Sequence, residues 1–309
     1  MHQILLYYKY VTIDDPESLR LAQFELCKRL GFTGRIIIAK EGINGTVEGS
    51  FENTEQYVRE LCLDKRFADM NFKRSQGTGS AFPKLSVKVR SEIVSGHLKA
   101  DDLNPNEITG KYLSPEALHE WIKFQKEFYI VDMRNDYEHR SGHFAGSILP
   151  PLENFRDLPK TLLILKHLKN KTIVTVCTGG VRCEKASGFL LKHGFKDVYQ
   201  LHNGIVSYME KYPGQDFKGS LYVFDGRVTM AFGEHEIIGR CEKCSNPSER
   251  YLNCGNLRCH RHFICCASCG PVETMTPCSL VCALKLSLKN HFEALLVLAK
   301  AVKLRVLNQ

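Results

Sequence analysis

Two cysteines and an arginine fall within one short, glycine-containing segment, Cys177-Thr178-Gly179-Gly180-Val181-Arg182-Cys183. An apolar, β-branched run at 172–176 precedes this segment, and a helix-like stretch at 184–193 follows it. A strand, a tight glycine turn and a helix in this order direct successive backbone N–H groups toward one point. A thiol at the start of such a turn, near a helix N-terminus and an arginine, has a lowered pKa. We therefore predict that Cys177 is a catalytic nucleophile.

The two other functional side chains of the segment each have two interpretations. Arg182 either points its donors into the active-site pocket or braces the loop through a carboxylate. Cys183 either resolves a persulfide or sulfenate on Cys177 as a disulfide, or is a packed thiol at the start of the helix. We include both residues with Cys177 in the predicted catalytic site.

The spacing of the segment discriminates between reaction types. A cysteine phosphatase needs an arginine six residues after its nucleophile, whereas Arg182 is five residues after Cys177 and Cys183 takes the sixth position. We therefore disfavour phosphatase chemistry. Sulfur transfer fits the segment, because the N–H groups of the loop would stabilise a persulfide anion on Cys177.

A second concentration of cysteines lies toward the C-terminus. Seven of the 13 cysteines fall between residues 241 and 269, and the N-terminus has neither the charged region nor the cleavage site of a signal peptide. This combination predicts metal thiolates in the reducing cytoplasm instead of disulfides.

The spacing within this second group predicts structural zinc, as one ion or two. Two Cys-x2-Cys pairs supply four thiolates for one closed tetrahedral site: Cys241, Cys244, Cys266 and Cys269. Cys254 and Cys259 predict a second site, completed from a choice of His260, His262 and Cys265. Cys278 and Cys282 lie outside this spacing and are predicted to be free thiols.

Composition and charge set the class of protein. The chain has 309 residues, of which 43% are hydrophobic and 25% charged, as expected for several globular domains. No apolar run approaches the roughly 18 residues of a membrane span, so we expect no membrane partner. The net charge is +8, and segment 65–90 holds seven basic residues against one acid, Asp69. This basic zone favours a nucleic-acid partner, with solvated lysines on exposed faces as the equal alternative.

Hydrophobic periodicity predicts an α/β multidomain protein. Residues 1–95 follow the order β-α-β-β-α-β of a ferredoxin-like α+β sandwich, a possible RNA-binding domain, with a last strand at 84–89 and a flexible loop at 77–80. A linker at 96–112 leads to a parallel α/β domain at 113–213. The remaining predicted parts are a hairpin at 214–235, the Cys-rich zinc module at 236–270, and a basic tail at 271–309 with a helix at 280–307.

Several motifs together resemble a known family. Over residues 114–213 the chain resembles a rhodanese domain, through Asp132-Met133-Arg134, Gly142–Ser147, Cys177-x2-Gly180-x-Arg182 and Gln200-Leu201-x2-Gly204. The wider pattern, over residues 3–270, is similar to the rhodanese-containing tRNA uridine hydroxylases. It adds Lys40-Glu41-Gly42-Ile43-Asn44-Gly45-Thr46, the continuation Glu184-Lys185, segment 217–227 and the Cys-rich segment.

The resemblance implies a function that the residues alone do not. It implies oxygen-dependent hydroxylation of the wobble uridine of tRNA at C5, giving 5-hydroxyuridine, with molecular oxygen as co-substrate and the anticodon arm as partner. The sequence contains no flavin or nicotinamide fingerprint and no iron facial triad, so it indicates neither an electron donor nor a protein partner. The alternatives are a sulfurtransferase that acts through Cys177 and a non-enzymatic RNA- or protein-binding adaptor.

Overall fold

The computed structural model describes residues 1–271 and 275–288. The chain forms two compact units, residues 1–236 and 237–309. Of the predicted tail helix, residues 280–288 are helical, and the rest of the predicted range lies outside the described residues. None of the helices in the described part of the chain is long and apolar enough to cross a membrane.

The first domain is a mixed sheet with two helices, as predicted. Its elements are β1 His2–Tyr10, α1 Pro16–Arg29, β2 Thr33–Ala39, β3 Gly42–Ser50, α2 Phe51–Cys62, β4 Phe72–Gly77 and β5 Leu85–Val89. The strand order is β4-β1-β3-β2-β5, in which β5 runs parallel to β2 and the other neighbours are antiparallel. Alternation along β1 separates a core face, which includes Leu5 and Tyr7, from the opposite face, which includes Leu6 and Tyr8.

Two details of this domain correct the sequence prediction. The predicted last strand is β5, and an additional strand, β4, precedes it. The loop at 77–80 is not free, because the backbone N–H groups of Gly79 and Ala81 donate to the buried carboxylate of Glu48 at 2.7 and 2.8 Å. These two hydrogen bonds anchor the loop to β3, the strand that carries Glu48.

The second domain is built on a parallel sheet of four strands. Their order in the sheet is β6 Lys111–Leu113, β10 Asp197–Leu201, β9 Thr172–Val176 and β7 Tyr129–Asp132. Its apolar residues alternate between two clusters, with Val174 and Val176 of β9 in one and Ile173 in the other. The sheet is therefore covered on both sides, as expected for parallel strands. Its elements are β6 Lys111–Leu113, α3 Pro115–Lys123, β7 Tyr129–Asp132, α4 Asp136–His139, β8 Gly142–Phe144, α5 Thr161–Leu165, β9 Thr172–Val176, α6 Val181–Lys192, β10 Asp197–Leu201 and α7 Gly204–Lys211, with 3-10 turns at Lys99–Asp101, Phe155–Lys160 and Lys166–Leu168.

Short antiparallel pairs complete residues 1–236. Strand β11 Phe217–Gly219 pairs with β8, and β12 Leu221–Tyr222 pairs with β13 Thr229–Met230. Between β12 and β13 the chain turns at Asp225, whose carbonyl accepts from the N–H of Val228 at 2.9 Å. The turn lies against the first domain, because the N–H of Gly226 donates to the carbonyl of Ala81 at 2.7 Å.

One buried lysine joins the first two domains. The ammonium of Lys185, on α6, lies 2.8 Å from Glu41, 3.3 Å from Asp102 and 3.5 Å from Glu92. Glu41 belongs to the Lys40–Thr46 motif, so this motif helps to hold the first domain against α6.

Residues 237–288 form a small unit in which cysteines take the place of an aliphatic core. Strands β14 Tyr251–Asn253 and β15 His262–Ile264 pair antiparallel. Phe263 is buried among cysteine side chains, including Cys241, Cys254 and Cys282. The cysteines of this core are free thiols and form no disulfide with one another.

Candidate active site and metal sites

Cys177 lies at the carboxyl end of β9, which is flanked by β10 and β7. The backbone then turns through Gly180, which has a φ of +102° and precedes α6. This turn requires glycine twice over, because a Cβ on Gly180 would also lie 2.7 Å from the hydroxyl oxygen of Tyr8. The N–H of Gly180 donates to Sγ of Cys177 at 3.3 Å. The strand, turn and helix predicted around Cys177 are all present.

The environment of Cys177 favours its thiolate. Burial is the largest single effect on the Cys177 thiol, and it raises the pKa. Four effects lower the pKa and together exceed burial: the hydrogen bond from the Cys183 thiol, the charge of Arg182, and the backbone N–H groups of residues 183 and 182. The result is a pKa lowered to about 6. A buried thiolate of this kind is an activated nucleophile at neutral pH.

Cys183 is fully buried and reaches Cys177 with its thiol. Burial raises the pKa of Cys183 well above the ordinary value, and the neighbouring Cys177 raises it further. The pair thus consists of one thiolate and one protonated thiol, which donates a hydrogen bond to its neighbour.

Arg182 braces the loop through a carboxylate, the second of the two interpretations above. Its guanidinium forms a bidentate ion pair with the buried Glu138 of α4, with one N–O distance of 2.8 Å, and a weaker bond of 3.3 Å to the Thr178 hydroxyl. Arg182 also lines the cavity described below. Glu138 has no motif around it that marks it as a partner of the loop.

Behind the loop, Asp132 and Arg134 form a second buried ion pair at 2.6 Å. The same guanidinium donates to the carbonyl of Gly142 at 2.7 Å. This pair joins the end of β7 to the start of β8, as a structural ion pair within the rhodanese-like motif.

Glu184, the first acidic residue of α6, is the centre of a polar cluster. Its carboxylate accepts from the hydroxyls of Tyr8 at 2.9 Å and Tyr112 at 3.0 Å, the Thr109 hydroxyl at 3.0 Å and the side-chain amide of Gln200 at 2.9 Å. The cluster joins β1 of the first domain to the start of α6. The donors come from distant parts of the sequence, so no local motif predicts this cluster.

A cavity of about 610 Å³ opens between the Cys177 loop and the outer face of the first sheet. Its walls include Leu6 and Tyr8 of β1, Lys73 of β4, and Phe224 next to the β12–β13 turn. Pockets of 300–1,000 Å³ are typical of small-molecule and nucleotide sites. Both domains therefore contribute to the space beside the nucleophile.

Lys73 is the functional candidate that the sequence interpretation did not single out. Its side chain is only 6% exposed, and its ammonium lies 5.1 Å from the centre of the Tyr8 ring. Burial lowers the pKa of Lys73 to about 8, and the charges of Cys177 and Glu184 work in the opposite direction. Lys73, one of the seven basic residues at 65–90, is therefore buried against the cavity and not exposed to solvent.

The four thiols predicted for the first metal site converge. Cys241, Cys244, Cys266 and Cys269 have their sulfur atoms within 4.8 Å of one another, and Cys244 lies 3.6 Å from Cys266. Tetrahedral zinc with Zn–S bonds of about 2.3 Å requires sulfur atoms about 3.8 Å apart. The residues therefore fit a tetrathiolate metal site.

The second site differs from its prediction. Cys254 and Cys259 converge with Cys278 and Cys282, with Sγ–Sγ distances of 3.7 Å for 259–278 and 3.8 Å for 278–282. Cys278 and Cys282, which were predicted to be free thiols, thus take the positions beside Cys254 and Cys259 for which the sequence offered His260, His262 or Cys265. Cys265 is instead buried in the core of the unit, and His262 bonds to the Asn253 side chain at 2.9 Å.

Family models match three consecutive parts of the chain. Residues 2–93 match the UPF0176 acylphosphatase like domain, residues 114–211 the rhodanese-like domain, and residues 218–283 the rhodanase C-terminal model.

Relatives match most of the chain. A protein of Bacillus licheniformis named tRNA uridine(34) hydroxylase is 47% identical over 269 residues, which is 85% of this chain and 83% of that protein. A protein of Bacillus velezensis with the same name is 46% identical over 286 residues, covering 91% of this chain and 88% of that protein. A solved rhodanese-related protein of Thermoplasma volcanium is 27% identical over 33% of this chain and 92% of that chain, with a TM-score of 0.28.

Proposed function

The chain belongs to the tRNA uridine(34) hydroxylase family, and from that premise we propose that it hydroxylates C5 of the wobble uridine of tRNA. The product is 5-hydroxyuridine. The observation that carries this proposal to particular residues is the position of Cys177, a thiolate that faces a nucleotide-sized cavity. Rhodanese sulfur transfer needs the same thiolate, but the name of the relatives, tRNA uridine(34) hydroxylase, supports hydroxylation.

The substrate base must leave the RNA stack to reach Cys177. Sequence-specific RNA recognition commonly uses unpaired loop bases that are splayed out, and enzymes that act on a base extrude it into a pocket. The cavity is lined by Leu6, Tyr8 and Phe224, whose apolar surfaces suit a planar base. This supports entry of one extruded uridine beside the thiolate.

The roles of the loop residues follow from their contacts. Cys177 is the group that meets the uridine, as a thiolate above about pH 6. Arg182 holds the loop through Glu138 and stabilises the thiolate by its charge. Cys183 keeps a proton next to the thiolate and is the thiol placed to form a disulfide with Cys177 during oxidation.

We assign zinc to the two tetrathiolate groups as a structural metal. Four thiolates close the coordination sphere, which leaves no position for a substrate or for oxygen. Molecular oxygen is the co-substrate in this proposal, and it acts in the domain at 113–213. We infer that the domain at 1–95 and the module at 236–270 bind the anticodon arm. The linker at 96–112 and the hairpin at 214–235 connect the domains, and the tail at 271–309 follows them. The site of action is the cytoplasm.

Nucleoside mass spectrometry of tRNA tests the proposal. Cells that lack this protein should lose 5-hydroxyuridine and its derivatives, and the wild-type gene should restore them. Unchanged amounts would contradict the hydroxylase function. Thiosulfate:cyanide turnover by the purified protein, abolished in Cys177→Ala, would instead support sulfur transfer.

A further inference from the structure

Lys73 is a buried cation that lies near two anions, Cys177 and Glu184, but is bonded to neither. It pairs across the sheet with Leu6, on the face of the first domain that turns toward the Cys177 loop. Within the part of the chain that the structure describes, its ammonium makes neither an ion pair nor a hydrogen bond, and its polar neighbour is the face of the Tyr8 ring. Burying an ammonium is unfavourable unless a charge or hydrogen-bond acceptor compensates it.

The two nearby anions are already satisfied by other groups. Glu184 accepts hydrogen bonds from Tyr8, Tyr112, Thr109 and Gln200. The sulfur of Cys177 accepts from the N–H of Gly180, and the charge of Arg182, which is itself paired with Glu138, also stabilises the thiolate. Neither anion bonds directly to Lys73, so the free donors of Lys73 are available to a molecule in the cavity.

We propose that Lys73 binds a negatively polarised oxygen of the uridine nucleotide that enters the cavity beside Cys177. This inference rests on the proposed function, and it adds a charged substrate-binding residue of the first domain to the apolar lining formed by Leu6 and Tyr8. Two oxygens of the nucleotide share the required chemistry: a phosphate oxygen flanking nucleotide 34, and the O4 carbonyl of the base.

The rim of the cavity supports an anionic ligand. Arg35 of β2 and Arg156, in the 3-10 turn Phe155–Lys160, both line the cavity and are exposed. Neither guanidinium has a carboxylate partner among the described residues, and Arg35 donates to the carbonyl of Phe224 at 2.7 Å. Exposed cations from both domains are suited to the phosphates that flank an extruded nucleotide.

The test compares Lys73→Met with Lys88→Met in the full-length protein. Both variants remove one lysine charge from the same sheet, but Lys88 is an exposed residue of β5 outside the cavity. Fluorescence anisotropy measures binding of an anticodon stem-loop RNA with uridine at position 34. We expect Lys73→Met to weaken binding about tenfold, the effect of one lost charge-assisted hydrogen bond, and Lys88→Met to change it by less than about twofold.

A second RNA, with an abasic residue at position 34, distinguishes the two oxygens. If Lys73 contacts a phosphate, Lys73→Met weakens binding of both RNAs equally. If it contacts O4, Lys73→Met weakens only the RNA that carries the base. Either result supports the proposal and identifies the oxygen.

Two outcomes would overturn it. One is Lys73→Met binding the uridine RNA as tightly as the wild type. The other is an equal loss of binding in Lys88→Met, which would show that the effect comes from the overall charge of the sheet and not from a contact in the cavity. Failure of the proposed function is separable: wild-type protein that binds the RNA through Lys73 but does not restore 5-hydroxyuridine would contradict the hydroxylase activity alone.

Discussion

Cysteines are concentrated in two regions of this molecule, and the two regions use the same side chain in opposite ways. In the loop at 177–183, two buried thiols meet at the end of a parallel strand, and one of them faces a cavity. In the described residues from 241 to 282, two groups of four thiols each converge within 4.8 Å. The number of thiols that meet, and the presence of a cavity beside them, separate a nucleophile from a set of metal ligands.

The difference extends to the source of positive charge. In the loop, backbone N–H groups, the Cys183 thiol and Arg182 stabilise one thiolate and leave it open to a substrate. In the C-terminal unit, a metal ion would neutralise four thiolates and occupy the space between them. The following four predictions test this contrast.

The largest effect is expected from Cys177→Ala. Loss of the nucleophile should lower hydroxylation by at least about 1,000-fold, as removal of a catalytic nucleophile commonly does. The measurement is 5-hydroxyuridine in tRNA from deletion cells that express the variant. Cys27→Ala is the matched control, because burial raises the pKa of that core thiol to about 12 and makes it unreactive. Full activity of Cys177→Ala would remove the distinction between the two regions.

Substitution of a metal ligand should change metal content and stability together. We expect Cys278→Ser to lose one of two bound zinc ions and to destabilise residues 237–288, since structural zinc contributes on the order of 10 kcal/mol to folding of small modules. Cys265→Ser is the control for metal content only, because Cys265 lies outside both groups of four but is buried in the core of the same unit. Metal analysis by mass spectrometry counts the bound zinc ions. Two ions in the wild type and also two in Cys278→Ser would contradict the assignment of the second group as a metal site.

Glu138→Gln tests how the loop is held. Removing one partner of a buried ion pair leaves the Arg182 charge uncompensated, and we expect a loss of about 3–5 kcal/mol in the free energy of unfolding. Trp121 is the only tryptophan and packs on Phe128 and Tyr199, so its fluorescence reports unfolding of this domain in urea. Glu127→Gln, which breaks the exposed pair with Lys171, should leave the curve unchanged.

The smallest effect is a pH profile. Iodoacetamide alkylation of Cys177, followed by peptide mass spectrometry, should be at its plateau above pH 7 and fall to half near pH 6, where the thiolate takes up its proton. Because the folded pKa is lower than that of an unfolded cysteine, the thiolate stabilises the fold fully above about pH 9 and loses this effect as pH falls through 6. A midpoint near 9 would mean that the loop does not activate its thiol.

Sequence reasoning succeeded where a function is encoded by neighbouring residues. The Cys177–Cys183 segment carries its own turn, donors and arginine, and the Cys-x2-Cys pairs carry half a metal site each. Arg182 was resolved only by the structure, since its partner Glu138 comes from another element.

The parts that the sequence did not predict have three causes: partners far apart in the chain, a spacing outside the Cys-x2-Cys pattern, and a strand with weak periodicity. Lys73 was missed because its neighbours in the cavity are Tyr8, on an adjacent strand, and the Cys177 loop of another domain. Cys278 lies two residues before the helix at 280–288 and Cys282 lies in its first turn, and a search for Cys-x2-Cys passes over this spacing of four residues. Strand β4, Phe72–Gly77, has one aromatic and several polar residues, so its periodicity is weak.

The ion pairs of Lys185 have a consequence for how the enzyme meets RNA. By tying Glu41, Glu92 and Asp102 to α6, they fix the orientation of the two domains that form the cavity. The loss of conformational entropy that accompanies assembly of the site therefore occurs during folding and not during substrate capture. Binding then has to offset only the unstacking and ordering of the RNA, which makes this a preorganised site rather than one that closes around its substrate.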